Sequence, residues 1–416
     1  MLAAILAVVL SADPIPNAKR VLVLGDSITA AGKYTTYLDG YYATRYPDRA
    51  IEFINLGLPS ETISGLSEPS HPWPRPNVHE RLDRALDKLK PDVVMACYGM
   101  NDGIYAPFSE ERFTAYKKGI DTLADRCKAR GIPLILLTPP PFDPVPVRGN
   151  LKGAGASDYG WMTPYAKYQE DVLLRYAAWI SQRVEKGVMT INIQDPIATF
   201  VGAQRRKSKS TDFRLSDDGV HMNADGHWLI AVAILDGLKT PLTWNSALID
   251  ARSLRAVRGE IKDIRTEAGG IRFVWTTHLP MPRDPDWSAA IGDEGTSEGR
   301  LGHHLLSVDG LADGRYGLYE GMRSIGNVHV ENGSALIDLR TFAELSSNRK
   351  ADELGELIRK RERIMSPAWL DHVGHTRPDT GKGLPLDEAK KQAEPITAEI
   401  RRLSRPVLLE LSLRAN

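Results

Sequence analysis

The chain has 416 residues, which is more than one hydrophobic core usually holds, so we expect more than one domain. Hydrophobic residues make up 42% and charged residues 25%, a composition that excludes a disordered or collagen-like chain. Lys plus Arg and Asp plus Glu each total 53, so the charge gives no support for nucleic-acid binding or a general basic membrane patch.

The N-terminus begins with ten apolar residues, Met1 to Leu10, followed by Ser11 and Ala12. Ten residues are too few for a transmembrane helix, which needs roughly 20, but they suit the core of a signal peptide. No Lys or Arg precedes Lys19, so the usual basic start of such a peptide is missing. We expect residues 1–12 to be a signal peptide and the protein to be secreted or periplasmic. The alternative is a frayed hydrophobic tail.

Short apolar segments then alternate with helical patterns over the first half of the chain. One helical pattern repeats at spacings of three and four from Phe113 to Cys127, with Ser109 as its expected cap. This alternation predicts a parallel sheet covered on both faces, with ligands bound at the carboxyl ends of its strands. The predicted strands are residues 20–24, 51–55, 92–97, 134–137 and 188–193.

The pattern changes after residue 245. Several strand-like segments and the hairpin signal Asn332-Gly333 predict a small β-rich accessory domain over residues 246–345. Residues 346–416 carry helical periodicity, which predicts a helical C-terminal region forming a hairpin against a neighbouring domain.

The two cysteines, Cys97 and Cys127, exclude a disulfide framework and a cysteine-rich zinc site. Buried free thiols are expected, with one disulfide as the alternative.

Four short motifs carry residues suited to catalysis, and three of them directly follow predicted strands. They are Gly25-Asp26-Ser27, Asn55-Leu56-Gly57, Gly99-Met100-Asn101-Asp102 and Asp218-Gly219-Val220-His221. Each motif is weak alone, but together and in this order the sequence resembles the SGNH hydrolase (GDSL-like esterase/lipase) superfamily over roughly residues 19–240. The resemblance implies a three-layer α/β/α, flavodoxin-like catalytic domain at 19–245. It also implies a serine esterase that works through an acyl-enzyme. The sequence has no His-x-x-x-His pattern with a matching set of carboxylates, so we expect no metal, and we expect no cofactor.

The chemistry of the residues supports the roles that the resemblance implies. The Ser27 hydroxyl needs a base, and a histidine such as His221 suits that task because its pKa lies near neutrality. A carboxylate then holds the imidazole in the right tautomer. Asp217 and Asp218 both lie close to the histidine, and the family pattern, three residues before it, selects Asp218.

The resemblance also implies an oxyanion hole. Its donors would be the backbone N–H groups of Ser27 and Gly57 and the side-chain amide of Asn101, which donates without carrying charge. The family often has a glycine shortly after the position of Gly57, whereas this chain has Pro59 and Ser60. This departure leaves the shape of the acyl pocket open.

Two loops, residues 67–79 and 138–165, are expected to border the site. Their aromatic residues could stack on sugar rings or simply pin the loops to the body of the protein. Together with export, this pattern favours an esterase that removes O-acetyl groups from a carbohydrate. The alternatives are an acyltransferase, a lipase or thioesterase with the same machinery, and a noncatalytic glycan-binding protein. We expect a small-molecule or glycan ester as partner, no nucleic acid and no stable membrane insertion. The oligomeric state is open.

Overall fold

A computed structural model describes residues 13–186, 188–240, 245–292 and 304–416. The signal peptide predicted at residues 1–12 lies outside the described residues. Within the described part of the chain, no helix is long and apolar enough to cross a membrane. Cys97 and Cys127 are both buried and free, as expected.

The five predicted strands form one parallel sheet. Their order is β2-β1-β3-β4-β5, so the chain starts near the middle and winds outward in both directions. Strands β1 to β4 are almost entirely buried on both faces, which explains why they read as continuous apolar segments instead of alternating ones. Their bounds are β1 (Arg20–Gly25), β2 (Glu52–Asn55), β3 (Val93–Cys97), β4 (Leu134–Leu137) and β5 (Met189–Ile191).

Helices cover this sheet and complete the predicted α/β fold. The cap predicted for the fourth helix is present, because the Ser109 hydroxyl accepts a hydrogen bond from the Arg112 N–H at 3.3 Å. The helices are α1 (Ser27–Ala30), α2 (Lys33–Arg45), α3 (Leu82–Leu89), α4 (Glu110–Ala129), α5 (Leu174–Ser181), α6 (Gln194–Ser208) and α7 (Ala224–Gly237). A π-helical turn, Gln169–Leu173, leads into α5.

The next part of the chain is β-rich, as predicted. Its strands are β6 (Asn245–Asp250), β7 (Arg255–Arg258), β8 (Glu260–Glu267), β9 (Gly270–Thr277), β10 (His304–Asp309), β11 (Gly314–Glu320), β12 (Arg323–Val330) and β13 (Ser334–Asp338). Together with β14 (Val407–Ala415) they form two sheets, ordered β13-β10-β6-β7 and β12-β11-β14-β9-β8. The inner faces share one core that includes Ile249, Phe273, Leu306, Leu318 and Leu411. The unit is therefore a β-sandwich.

Two long helices, α8 (Ser346–Val373) and α9 (Leu386–Leu403), form the predicted hairpin. The prediction that the helical region extends to residue 416 is corrected, because β14 lies between β9 and β11 in the sandwich. The alternation of leucine with polar residues places Leu409, Leu411 and Leu413 on the buried face. This two-residue period is a strand signal, although it stands at the end of a helical region.

The helical hairpin packs against the α/β sheet and its helices. Met365, Trp369 and Leu370 of α8 and Ala389 of α9 belong to the same hydrophobic core as the strands of the parallel sheet. The side chain of Arg361 also pairs with Asp39 of α2. The helical hairpin, which lies between β13 and β14 in the chain, thus packs against the half of the protein that carries the sequence motifs.

The terminal strand provides a matched test of this packing. Leu411→Ala should lower the free energy of unfolding by roughly 2–5 kcal/mol, because Leu411 is fully buried between the two sheets. Leu408→Ala, on the same strand but 69% exposed, should change it by no more than about 0.5 kcal/mol. Urea unfolding of both variants measures the difference. Equal losses would contradict the assigned orientation of β14.

Candidate active site

Ser27 is the first residue of α1, immediately after β1. The carboxylate of Asp26 accepts a hydrogen bond from the Ile28 N–H at 2.9 Å and caps the helix. A β-carbon at Gly25 would overlap the side chain of Thr29, so the turn from strand to helix is too tight for any larger residue. This turn fixes the hydroxyl of Ser27 at the carboxyl edge of the parallel sheet.

The loop before α7 carries the predicted base, His221, and the carboxylate predicted to orient it, Asp218. His221 Nε2 lies 2.8 Å from Ser27 Oγ, and His221 Nδ1 lies 2.6 Å from Asp218 Oδ2. The other carboxylate oxygen of Asp218 accepts hydrogen bonds from the N–H groups of Val220 and His221 at 2.9 and 2.7 Å. The structure therefore brings the three predicted catalytic side chains into one hydrogen-bonded chain, although Ser27 and His221 are 194 positions apart.

The charges of these three hydrogen-bonded side chains suit base catalysis. The hydrogen bond from His221 and the two backbone N–H groups hold the pKa of Asp218 below its usual value, although partial burial opposes this shift. The hydrogen bond to Asp218 raises the pKa of His221, again against the effect of burial. The lowered pKa favours an ionised Asp218, which the predicted mechanism requires to stabilise the imidazolium formed when His221 takes the serine proton.

Asn101 is held at both ends of its side-chain amide. Its Oδ1 accepts a hydrogen bond from the Tyr105 hydroxyl at 2.8 Å, and its Nδ2 donates to the Glu61 carbonyl at 3.2 Å. These contacts fix which end of the amide is the donor, and Nδ2 carries a second N–H beyond the one given to Glu61. The predicted role of Asn101 in the oxyanion hole remains a prediction that this geometry permits.

The packing of the loop after β2 explains why residue 57 is glycine. A β-carbon there would overlap the backbone of Thr29 and Ala30, so glycine is needed for the loop to lie against α1. The Gly57 N–H donates to Asn55 Oδ1 at 2.8 Å. Its predicted oxyanion role therefore requires that this N–H be shared between Asn55 and the substrate, or that Asn55 move.

Sequence reasoning missed the residues that hold Asn101. Tyr105 is fully buried, stacks on Tyr168 and has a φ of 55°, an uncommon conformation for a side chain of this size. The Glu61 carboxylate pairs in the interior with Arg81 at 2.6 Å. No local pattern marks these residues, because their partners come from different loops. Their burial in the folded chain is what reveals them.

Of the two loops expected at the border of the site, residues 138–165 lie beside His221, and their aromatic residues divide into two groups. Phe142 and Tyr165 are buried and pin the second loop. Trp161 is 40% exposed, and its ring lies edge-on to the His221 ring with 5.8 Å between centroids. The loops also meet, since the Ser70 hydroxyl donates to the Tyr159 carbonyl at 3.3 Å.

Residues 23–229 match the model of the GDSL-like lipase/acylhydrolase family. The chain belongs to this family. It is therefore an ester-hydrolysing enzyme, and the contacts among Ser27, His221 and Asp218 agree with the roles predicted for them. No group of three or more His, Cys, Asp or Glu residues that could hold a metal ion occurs in the described residues.

A solved structure shares the fold of this chain. BT4096, a gut microbial diltiazem-metabolizing enzyme, matches with 18% identity and a TM-score of 0.74, over 96% of this chain and 98% of that one. The fold of nearly the whole chain, including the C-terminal sheets and helices, therefore occurs in that enzyme. A catalytic mutant of Axe2, an acetylxylan esterase from Geobacillus stearothermophilus, matches with 20% identity and a TM-score of 0.39, over 54% and 95% of the two chains. No curated protein sequence gives a significant match.

The triad predicts a specific pH dependence. Protonated His221 cannot accept the serine proton, so kcat/KM should fall as the pH drops through the raised pKa of His221. Asp218→Asn removes the carboxylate that raises this pKa. The acid limb should therefore move to lower pH, and kcat should fall by roughly 10²–10⁴.

Asp217→Asn is the matched control for this measurement, because the Asp217 side chain is 90% exposed and pairs only with Arg214 among the described ion pairs. It should leave both the acid limb and kcat near wild type. An acid limb that stays in place in Asp218→Asn would show that a different group controls the profile.

The oxyanion prediction is tested at Asn101. Asn101→Ala should lower kcat by roughly 10²–10³, as expected for the loss of one preorganised donor. Tyr105→Phe keeps the amide but removes the hydroxyl that orients it, so a smaller loss is expected. Kinetics with 4-nitrophenyl acetate measure both, and Asn150→Ala in the exposed loop is the control. Unchanged turnover in Asn101→Ala would remove this residue from the oxyanion hole.

Proposed function

We propose that the enzyme is an exported carbohydrate esterase that removes O-acetyl groups through an acyl-enzyme on Ser27. The observation that carries the substrate proposal is the position of Trp161, a partly exposed indole ring next to the ring of the catalytic base. A large aromatic face beside a catalytic group suits stacking against an apolar face of a sugar ring. Such a contact would place an ester on that sugar within reach of Ser27.

The exposed surface of the two bordering loops also favours a polar substrate. A long acyl chain would require a broad apolar surface. Trp161 and Met162 supply the large exposed apolar side chains of these loops among the described residues. The other exposed positions are proline, small, polar or charged: Pro69, Ser70, Pro72, Pro74, Arg148, Gly149, Asn150, Gly153, Ala154, Gly155, Ser157 and Asp158.

The geometry supports a complete two-step reaction. Ser27 Oγ attacks the ester carbonyl while His221 Nε2 takes the proton of the serine hydroxyl. The second N–H of Asn101 Nδ2 is expected to donate to the developing oxyanion. The protonated His221 then gives its proton to the departing sugar oxygen, leaving acetyl-Ser27. Water, deprotonated by the same histidine, attacks the acyl-enzyme and releases acetate. An acyltransferase would use a sugar hydroxyl in place of this water.

The proposed export rests on the sequence. The apolar residues Met1 to Leu10, followed by Ser11 and Ala12, have the length and composition of a signal-peptide core. Polysaccharides with O-acetyl groups would be met outside the cytoplasm, so export and the proposed substrate class agree. Sequencing the N-terminus of protein recovered from the extracellular or periplasmic fraction tests this part of the proposal.

Trp161→Ala tests the substrate class. On O-acetylated oligosaccharides, kcat/KM should fall about tenfold, because stacking on the sugar ring is lost. On 4-nitrophenyl acetate, which has no sugar, it should change less than about threefold, since the triad is intact. Released acetate and 4-nitrophenolate measure the two activities.

Met162→Ala is the control, because this neighbouring side chain is 61% exposed. It should affect neither substrate. Equal losses on both substrates in Trp161→Ala would mean that the ring supports His221 itself. Activity confined to long-chain esters would replace the carbohydrate proposal by a lipase or thioesterase.

A further inference from the structure

Ser60 adopts a backbone conformation that its neighbours must hold. Its φ is 67°, in the left-handed region that residues with a β-carbon seldom adopt. The Ser60 carbonyl accepts a hydrogen bond from Arg75 Nη1 at 3.3 Å, and its hydroxyl lies 3.2 Å from His71 Nε2. Both partners come from the loop that follows β2. A third partner comes from a distant part of the chain.

That third partner is Arg377, in the segment between α8 and α9. Its Nη1 donates to Ser60 Oγ at 3.0 Å. Asp379 accepts from its Nε and Nη2 at 2.7 and 3.2 Å, and its guanidinium lies 5.4 Å from the centre of the Trp73 ring. The side chain is only 15% exposed. Because Asp379 already balances its charge, Arg377 is a fixed donor to Ser60 and is poorly suited to capture an anionic substrate.

The conformation of Ser60 bears directly on the position of Asn101. The residue after Ser60 is Glu61, whose carbonyl accepts the hydrogen bond from Asn101 Nδ2 at 3.2 Å. The side chain of Glu61 is fixed in the interior by Arg81, so the peptide between residues 60 and 61 is held from both sides. A change in the backbone of Ser60 would displace Glu61 and, with it, the next peptide, between residues 61 and 62, whose carbonyl orients the Asn101 amide.

We propose that Arg377 is a positioning residue of the hydrolase site. By holding Ser60 in its left-handed conformation, it fixes the Glu61 carbonyl and, through it, the donor of Asn101. The C-terminal region thus acts in catalysis without touching the reacting atoms. The family match ends at residue 229, so this contribution lies outside the segment that defines the family.

The experiment combines Arg377→Ala with two substitutions of Ser60. With 4-nitrophenyl acetate, Arg377→Ala should lower kcat about tenfold while KM changes less than about twofold, because a small displacement of a preorganised donor acts mainly on the transition state. Ser60→Ala keeps the β-carbon but loses the hydroxyl, so it should resemble Arg377→Ala. Ser60→Gly adopts a positive φ without steric cost, so it should stay within about threefold of wild type.

The double variant decides the mechanism. In the Ser60→Gly background, Arg377→Ala should have little further effect, because the hydroxyl that Arg377 holds is already absent. Arg363→Ala, on α8 and paired with Glu356 at 3.1 Å, is the matched control and should leave kcat unchanged. Thermal unfolding of each variant separates lost stability from lost positioning. This ester contains no sugar, so the result is independent of the proposed carbohydrate substrate.

Three results would overturn the proposed role of Arg377. Wild-type kcat in Arg377→Ala would overturn the proposal. So would a tenfold loss that persists in the Ser60→Gly background, since Arg377 would then act by a route that does not pass through Ser60. A lower kcat in Ser60→Gly than in Ser60→Ala would also overturn it, because the left-handed backbone would not be what the hydroxyl contacts maintain.

Discussion

The loop after β2 lies against the first turn of α1 with no space for a side chain at Gly57, and the rest of the site depends on this contact. The Leu58 N–H donates to the Gly25 carbonyl at 2.9 Å, which joins this loop to the turn before Ser27. The loop then continues to the Glu61 carbonyl, which holds Asn101. Nucleophile and amide are therefore connected through backbone contacts, which vary less in position than contacts between long side chains.

Buried polar groups connect the loops after β2 and β3 a second time. Asp102 Oδ1 accepts hydrogen bonds from the N–H groups of Ile63 and Ser64 at 2.9 and 2.8 Å. Burial raises the pKa of Asp102 to about 6 and that of Asp26 to about 7. Such groups are costly to bury, and paired ions in the interior contribute little net stability. The buried carboxylates instead hold each loop in a defined position, as the hydrogen bonds of Asp102 illustrate.

The sequence alone was sufficient to predict the features that depend on neighbouring residues. The five apolar strands, the cap at Ser109 and the spacing of Asp218 and His221 each depend on neighbouring residues, and the structure confirms the strands and the cap. That Ser27 meets His221 follows from the parallel order of the strands and not from any local pattern. The terminal strand β14 also carries a local signal, the alternation of leucine with polar residues, but it directly follows a helical pattern, and the prediction extended the helical region over it. The contacts of Ser60 with Arg377 and of Asn101 with Tyr105 and Glu61 required the fold itself.

The limits of the family segment are not the limits of the folded catalytic unit. Met365 and Trp369 lie in the same core as the parallel sheet, and the Ser366 hydroxyl donates to the Asn55 carbonyl at 3.1 Å, at the end of β2. A fragment ending near residue 245 would expose the apolar surface that α8 covers, at a cost of about 25 cal/mol for each Å² returned to water. It would also lose the contacts that α8 and Arg377 make with the loop after β2. With the role proposed for Arg377, part of the order of the active site comes from residues outside the family segment, whereas the predicted catalytic residues all lie within it.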